Sequence, residues 1–218
     1  MGRVLDTLEE KGLREDTLVI YCSDHGELLY QHGICEKHTM FEAAISIPLI
    51  LSLPGRIAEG ISSDALVENI DILPTAMNIV GIGVPEWVNG VDLSPTFEGG
   101  DVKEHVFCEY HHTLDATRML RTKRYKFIYT EDDINELYDM EHDPEEKYNL
   151  TFYPQYKEIA AQMEAKVLED WDPPDVPEYG KWNDLNERKQ KQILDGLLIQ
   201  NVRPDPPRFV TERCDTGE

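Results

Sequence analysis

The chain has 218 residues, 43 acidic against 21 basic, and a formal net charge of -22. That excess repels polyanions and argues against nucleic acid as a partner, while 40% hydrophobic and 9% aromatic content is too rich for a largely disordered chain. Cys22, Cys35, Cys108 and Cys214 are widely spread, form no C-x-x-C pair and read as free thiols. No stretch approaches the roughly 20 apolar residues of a membrane span, so no membrane partner is expected.

In chain order, Val4, Leu5 and Leu8 share one face of an expected helix over 3–11, stopped by Gly12. Residues 17–22 form a short continuous apolar run, the pattern of a strand buried on both faces of a parallel sheet. A second apolar strand over 47–53 closes at Pro54-Gly55. A helix over 67–79 follows, with Ile70, Leu73, Met77 and Val80 as its expected buried face. This alternation predicts an α/β class for residues 1–100. Four short strand-like runs over 105–110, 117–121, 125–129 and 136–140, then a helix over 154–171, predict an antiparallel α+β subdomain at 101–171. A Pro- and acid-rich tail, extended or helical, occupies 172–218.

Asp24 and His25 immediately follow the first strand, at the kind of position where open α/β sheets bind ligands. A carboxylate and an imidazole there can both coordinate a divalent cation, and Gly26 lets the backbone turn away without a side chain blocking the ion. Alone, the Asp-His-Gly triplet better suits a capped turn with a solvated Asp-His pair.

The longer window is more specific. Asp24-His25-Gly26-Glu27 is followed by His32-Gly33, Lys37, Phe41-Glu42 and Ile47-Pro48-Leu49-Ile50. This resembles the second metal-and-anion segment of type I sulfatases and the similar phosphonate monoester hydrolases, within the alkaline phosphatase superfamily. Residues 69–75, 90–95, 118–129, 136–139 and 143–150 resemble that family's later segments, so the likeness covers roughly 2–171. It implies a sulfatase-like sheet with helices followed by the small antiparallel subdomain. It also implies that Asp24 and His25 ligate a divalent metal, calcium or alternatively manganese. Lys37 would hold the sulfate and offset charge on the leaving group. His32 and His38 would assist in the anion pocket or protonate a leaving oxygen, and His111 and His112 would contact the organic part of the substrate. Arg118 and Arg121 are expected to pair with surface acids.

The pattern also departs from the family. Sulfatases convert the Cys or Ser of C/S-x-P-x-R into a formylglycine nucleophile and use an Asp-Asp pair upstream. Ser52-Leu53-Pro54-Gly55-Arg56 fits the first motif literally, but it falls where the family has its strand and turn, and reads as coincidence. The formylglycine is therefore expected in a missing N-terminal part, and the chain alone is expected to be inactive. Tyr30 stands where Gly is frequent, and Ser46 where a basic residue is frequent. The implied substrate is a sulfated small molecule or sugar, and an N-terminal half or self-association is expected to cover the open sheet edge. Phosphonate or phosphate ester hydrolysis is the near alternative, and a non-catalytic interaction module the distant one.

Overall fold

A computed structural model of the chain describes residues 1–112, 115–131 and 133–171. The expected tail, 172–218, and Cys214 within it lie outside the described residues. The chain divides into two compact units, Met1–Cys108 with Arg121–Lys123, and Glu109–Leu120 with the chain from Arg124 onward. No helix among the described residues is long and apolar enough to cross a membrane. Cys22, Cys35 and Cys108 form no disulfide among the described residues.

The first unit contains α1 (Gly2–Glu10), β1 (Val19–Cys22), α2 (Glu42–Ile45), β2 (Leu49–Ser52) and α3 (Ile72–Ile79). β1 and β2 pair antiparallel, Val19 opposite Ser52 and Cys22 opposite Leu49. Within this two-stranded pair the expected parallel sense is not found. Between the strands lie loops and the single turn of α2, with no crossover helix, and the chain returns alongside β1 in the opposite sense. Tyr21 and Ile50 are 46% and 58% exposed, so the apolar run is only partly buried.

α3 also presents a different face from the one its apolar spacing suggests. Ile70, Leu73 and Val80 are exposed, whereas Asp71, Pro74 and Thr75 are buried. The reason is backbone demand from the following loop. The Asp71 carboxylate accepts the Val91 N–H at 2.8 Å, and the Thr75 hydroxyl accepts the Leu93 N–H at 2.8 Å. Unpaired buried N–H groups are costly, so the polar edge of the helix turns inward. Gly90 fits here because a Cβ would stand 2.0 Å from the Ile70 carbonyl oxygen. Lys103 completes the cluster, its ammonium 2.7 and 2.8 Å from the two Asp71 oxygens and also bonded to Glu68. The motif segments 69–75 and 90–95 are thus one structural staple.

Four strands, β3 (His105–His112), β4 (Asp115–Thr122), β5 (Tyr125–Thr130) and β6 (Glu136–Asp139), make a sheet in chain order. β5 and β6 pair antiparallel. In the second unit α4 (Lys157–Leu168) packs on β5, burying Met163 and Val167 in a core with Phe127, Ile128, Leu137 and Leu150. Arg118 pairs with Glu109 at 3.1 Å, and in the first unit Arg121 approaches Glu42 at 3.6 Å.

The segment 143–150 supplies polar partners to this sheet. Asp143 accepts the backbone N–H groups of Lys147 and Tyr148 at 3.1 and 2.9 Å, turning the chain. Glu146 meets the fully buried Lys126 ammonium at 2.5 Å, and Asn149 accepts the Leu137 N–H at 3.0 Å. Asp139, also fully buried, accepts Arg124 Nε and NH2 at 3.1 and 2.8 Å. His142 Nδ1 lies 3.2 Å from it. Burial raises the Asp139 pKa, but Arg124 and His142 outweigh burial and leave it below the usual value.

A group with a depressed folded-state pKa stabilises the protein above its unfolded pKa, and that stability is lost as pH falls through the folded value. Asp139→Asn is expected to cost about 3 kcal/mol at neutral pH, since it removes the buried carboxylate that pairs Arg124 and His142. The gap from wild type should close as pH drops below the ordinary aspartate value of about 3.9. Denaturant titrations at several pH values check this; a gap independent of pH contradicts it.

Candidate functional site

Asp24 and His25 follow β1 directly, and the position of this turn is fixed by α2. The Gly26 N–H donates to the Ala44 carbonyl at 2.7 Å, and a Cβ on Gly26 would lie 2.0 Å from the Ala43 carbonyl oxygen. Glycine is required by this close backbone approach. The expected need for an open path to an ion is corrected, since the space a side chain would fill is already occupied by α2. The chain between the two contacts loops out and back, with the Leu28 N–H bonded to the Glu36 carbonyl at 2.9 Å. Leu28 and Met40 are 2% and 3% exposed and anchor the loop's two sides.

This closure brings Asp24, His25 and Lys37 together. His25 Nδ1 lies 2.7 Å from the Gly26 carbonyl oxygen, which can only accept, so Nδ1 carries the hydrogen and Nε2 keeps its lone pair. That lone pair accepts from the Lys37 ammonium at 2.6 Å. The Asp24 carboxylate lies 3.5 Å from the same Nε2 and is 83% exposed. The His25 backbone N–H, donating to Asp24 at 3.0 Å, holds this carboxyl below the usual aspartate pKa, helped by Asp24's own N–H. An ionised carboxylate, an imidazole lone pair and an ammonium thus share one exposed turn.

The other histidines lie on different partners. His32 stacks on Phe41 with ring centroids 3.9 Å apart and planes 10° apart, at a positive φ of 54°. His38 Nε2 lies 3.2 Å from Glu36. His111 and His112 close β3, and their side chains lie outside the described residues.

Sequence reasoning left one group unflagged. Asp139, Glu141 and His142 bring ligand-type atoms within 4.8 Å of one another. Arg124 already occupies the Asp139 carboxylate, which makes this cluster an ionic staple. Its signal was the mixed-charge Asp-x-Glu-His spacing across the end of β6.

An acid, an imidazole and an ammonium thus come together beside β1 and α2, and similarity to known proteins supplies the family. Residues 30–172 match the family described as N-sulphoglucosamine sulphohydrolase, C-terminal, and the chain belongs to this sulfatase family. Lys37 lies inside the matched segment; Asp24 and His25 precede it. The choline-sulfatase of Rhizobium meliloti is 34% identical over 71% of this chain and 31% of its own length. The N-acetylglucosamine-6-O-sulfatase of Bacteroides thetaiotaomicron is 32% identical over 79% of this chain and 34% of its own length. The chain therefore spans about a third of these relatives.

A solved structure described as complexed with its substrate D-glucosamine-2-N,6-O-disulfate matches with a TM-score of 0.72 and 30% identity. It covers 80% of this chain and 39% of that one. The phosphonate monoester hydrolase of Silicibacter pomeroyi matches with a TM-score of 0.69 and 29% identity over 77% of this chain and 37% of its own.

Gly26→Ala is expected to force the turn away from α2 at a cost of about 1–3 kcal/mol. Calorimetry should record a lower thermal midpoint. An unchanged midpoint would mean that the close approach to Ala43 does not hold the turn.

Proposed function

We propose that the chain is the C-terminal part of a sulfuric ester hydrolase, contributing metal and sulfate ligands to a site completed by an upstream half. The convergence of Asp24, His25 Nε2 and Lys37 Nζ carries this reading. The donor set suits a divalent cation: one ionised oxygen donor beside one imidazole lone pair. Asp24 and His25 would hold the ion, calcium or alternatively manganese. When bound, it would supply Lewis-acid polarisation of a sulfate oxygen. Two protein ligands make an incomplete site, and that supports the expectation that the chain alone is inactive.

Lys37 donates to a sulfate oxygen and stabilises charge that grows on the ester during S–O cleavage. Nε2 has one lone pair, so it accepts from Lys37 or ligates an ion, not both. An occupied His25 leaves the Lys37 ammonium for the anion. His32 is held by Phe41 and would organise the loop. His38, exposed beside Glu36, would serve as a proton donor to the leaving oxygen. His111 and His112 would contact the organic part of the substrate. The sugar sulfates named for two of the relatives make a sulfated sugar the favoured substrate class. Hydrolysis of phosphonate or phosphate esters is the second reading, supported by the likeness to the Silicibacter enzyme.

The exposed apolar side chains of the first unit support a covering partner. Val4, Leu73, Val80, Ile82 and Trp87 are at the surface, and the exposed Tyr21 and Ile50 lie opposite each other on β1 and β2, an adjacent apolar pair of the kind an interface covers. An upstream half carrying the formylglycine is the favoured cover, and self-association the alternative.

Nitrophenyl sulfate hydrolysis with added calcium or manganese, by the 218-residue chain and by the same chain extended upstream, tests the reading. Activity is expected only in the extended form, lost in Asp24→Ala and cut about 100-fold in Lys37→Ala. Full activity in both variants contradicts it.

A further inference from the structure

The loop between Leu28 and Glu36 begins three residues after His25 and ends one before Lys37, so it rises from the edge of the candidate anion site. It is tightly self-bonded. The Tyr30 N–H donates to the Ile34 carbonyl at 3.1 Å, the Gly33 N–H to the Tyr30 carbonyl at 3.0 Å, and the Gln31 N–H to the Leu28 carbonyl at 2.8 Å. Four of its non-glycine residues, Leu29, Tyr30, His32 and Glu36, have φ of 45°, 71°, 54° and 73°. Side chains resist this left-handed region because Cβ crowds the following carbonyl. Tyr30 sits there with ψ of 8°, a backbone that glycine adopts freely.

The large side chain is nevertheless not consumed by packing. Tyr30 is 76% exposed, while Leu28 two positions earlier is buried at 2% and anchors the loop. A bulky aromatic residue held in a left-handed backbone position on a self-bonded loop, and largely exposed in this chain, adds nothing to the core of its own unit. Strain of this sort concentrates at ligand-binding elements. The loop therefore carries an exposed ring on a self-bonded support that springs from between the paired His25 and Lys37.

We propose that Tyr30 determines specificity by packing its ring against the sugar ring of a sulfated monosaccharide whose sulfate is held at Lys37. This rests on the proposed anion site. The C–H face of a pyranose is apolar and matches an aromatic face, and the phenol hydroxyl remains free to bond a sugar hydroxyl. Inorganic sulfate lacks the ring and takes no benefit from Tyr30.

The Michaelis constant for glucosamine 6-sulfate and the inhibition constant of inorganic sulfate are compared in the complete enzyme, this chain with its upstream half, for wild type, Tyr30→Gly and Tyr30→Phe. Glycine suits a φ of 71° better than tyrosine does, so Tyr30→Gly removes the ring while relaxing the backbone. The preference for the sugar sulfate over free sulfate is expected to fall about tenfold in Tyr30→Gly. It should stay within about threefold of wild type in Tyr30→Phe, with sulfate affinity and thermal midpoint not reduced in either. An unchanged preference in Tyr30→Gly overturns the proposal while leaving the anion site intact. Equal weakening of both ligands overturns it too, by placing Tyr30 in the sulfate pocket. A Tyr30-dependent preference for choline sulfate over the sugar overturns the sugar assignment. No sulfate binding by the wild type defeats the anion-site reading itself.

Discussion

The close approach of Gly26 to the α2 backbone governs the geometry of the candidate site. Its N–H bonds the Ala44 carbonyl, and no Cβ intervenes before the Ala43 oxygen. This contact ties the turn after β1 to a helix that lies beyond Lys37 in the chain. The intervening residues must double back, and the Leu28 to Glu36 bond closes them. Lys37 then reaches His25 although twelve positions separate them. The electrostatics follow from the same closure: Asp24 is ionised by local N–H donors, and His25 turns Nε2 toward the cation because Nδ1 is bonded to Gly26.

Polar staples hold the remaining structure where apolar packing alone is thin. Asp71 and Thr75 bind the 90–93 backbone, and Lys103 neutralises Asp71. Lys126 with Glu146, and Arg124 with Asp139, do the same in the second unit. A buried pair of this kind adds little net stability, yet losing one member strands a buried charge. All of these residues except Lys103 fall within the segments whose likeness to sulfatases extends beyond the site, which gives those segments a structural reason independent of catalysis.

Much of this was legible in the sequence. The four strands of the meander, the helix that becomes α4, and the sulfatase likeness follow from periodicity and motif. The pairing sense of β1 and β2 was not legible, because an apolar run states burial and says nothing of direction; the connection decides it. The inward face of α3 was hidden as well. Its apolar stripe at Ile70, Leu73 and Val80 obeys the helical period, but Asp71 and Thr75 answer buried backbone donors that no periodicity reveals. Gly26 was recognised as special for a different reason from the steric one that operates. The partners of Lys103 and Lys126 lie more than 19 residues away in sequence, beyond the reach of local pattern.

The most direct measurement is equilibrium binding of manganese to the complete enzyme, with Asp24→Ala and Lys37→Ala alongside. If Asp24, His25 and Lys37 form one site, Asp24→Ala loses the ion, whereas Lys37→Ala binds it as tightly as wild type or more tightly, because Nε2 of His25 no longer accepts from an ammonium. Undiminished binding in Asp24→Ala, or loss of binding in Lys37→Ala, would contradict a shared metal and anion site at this turn.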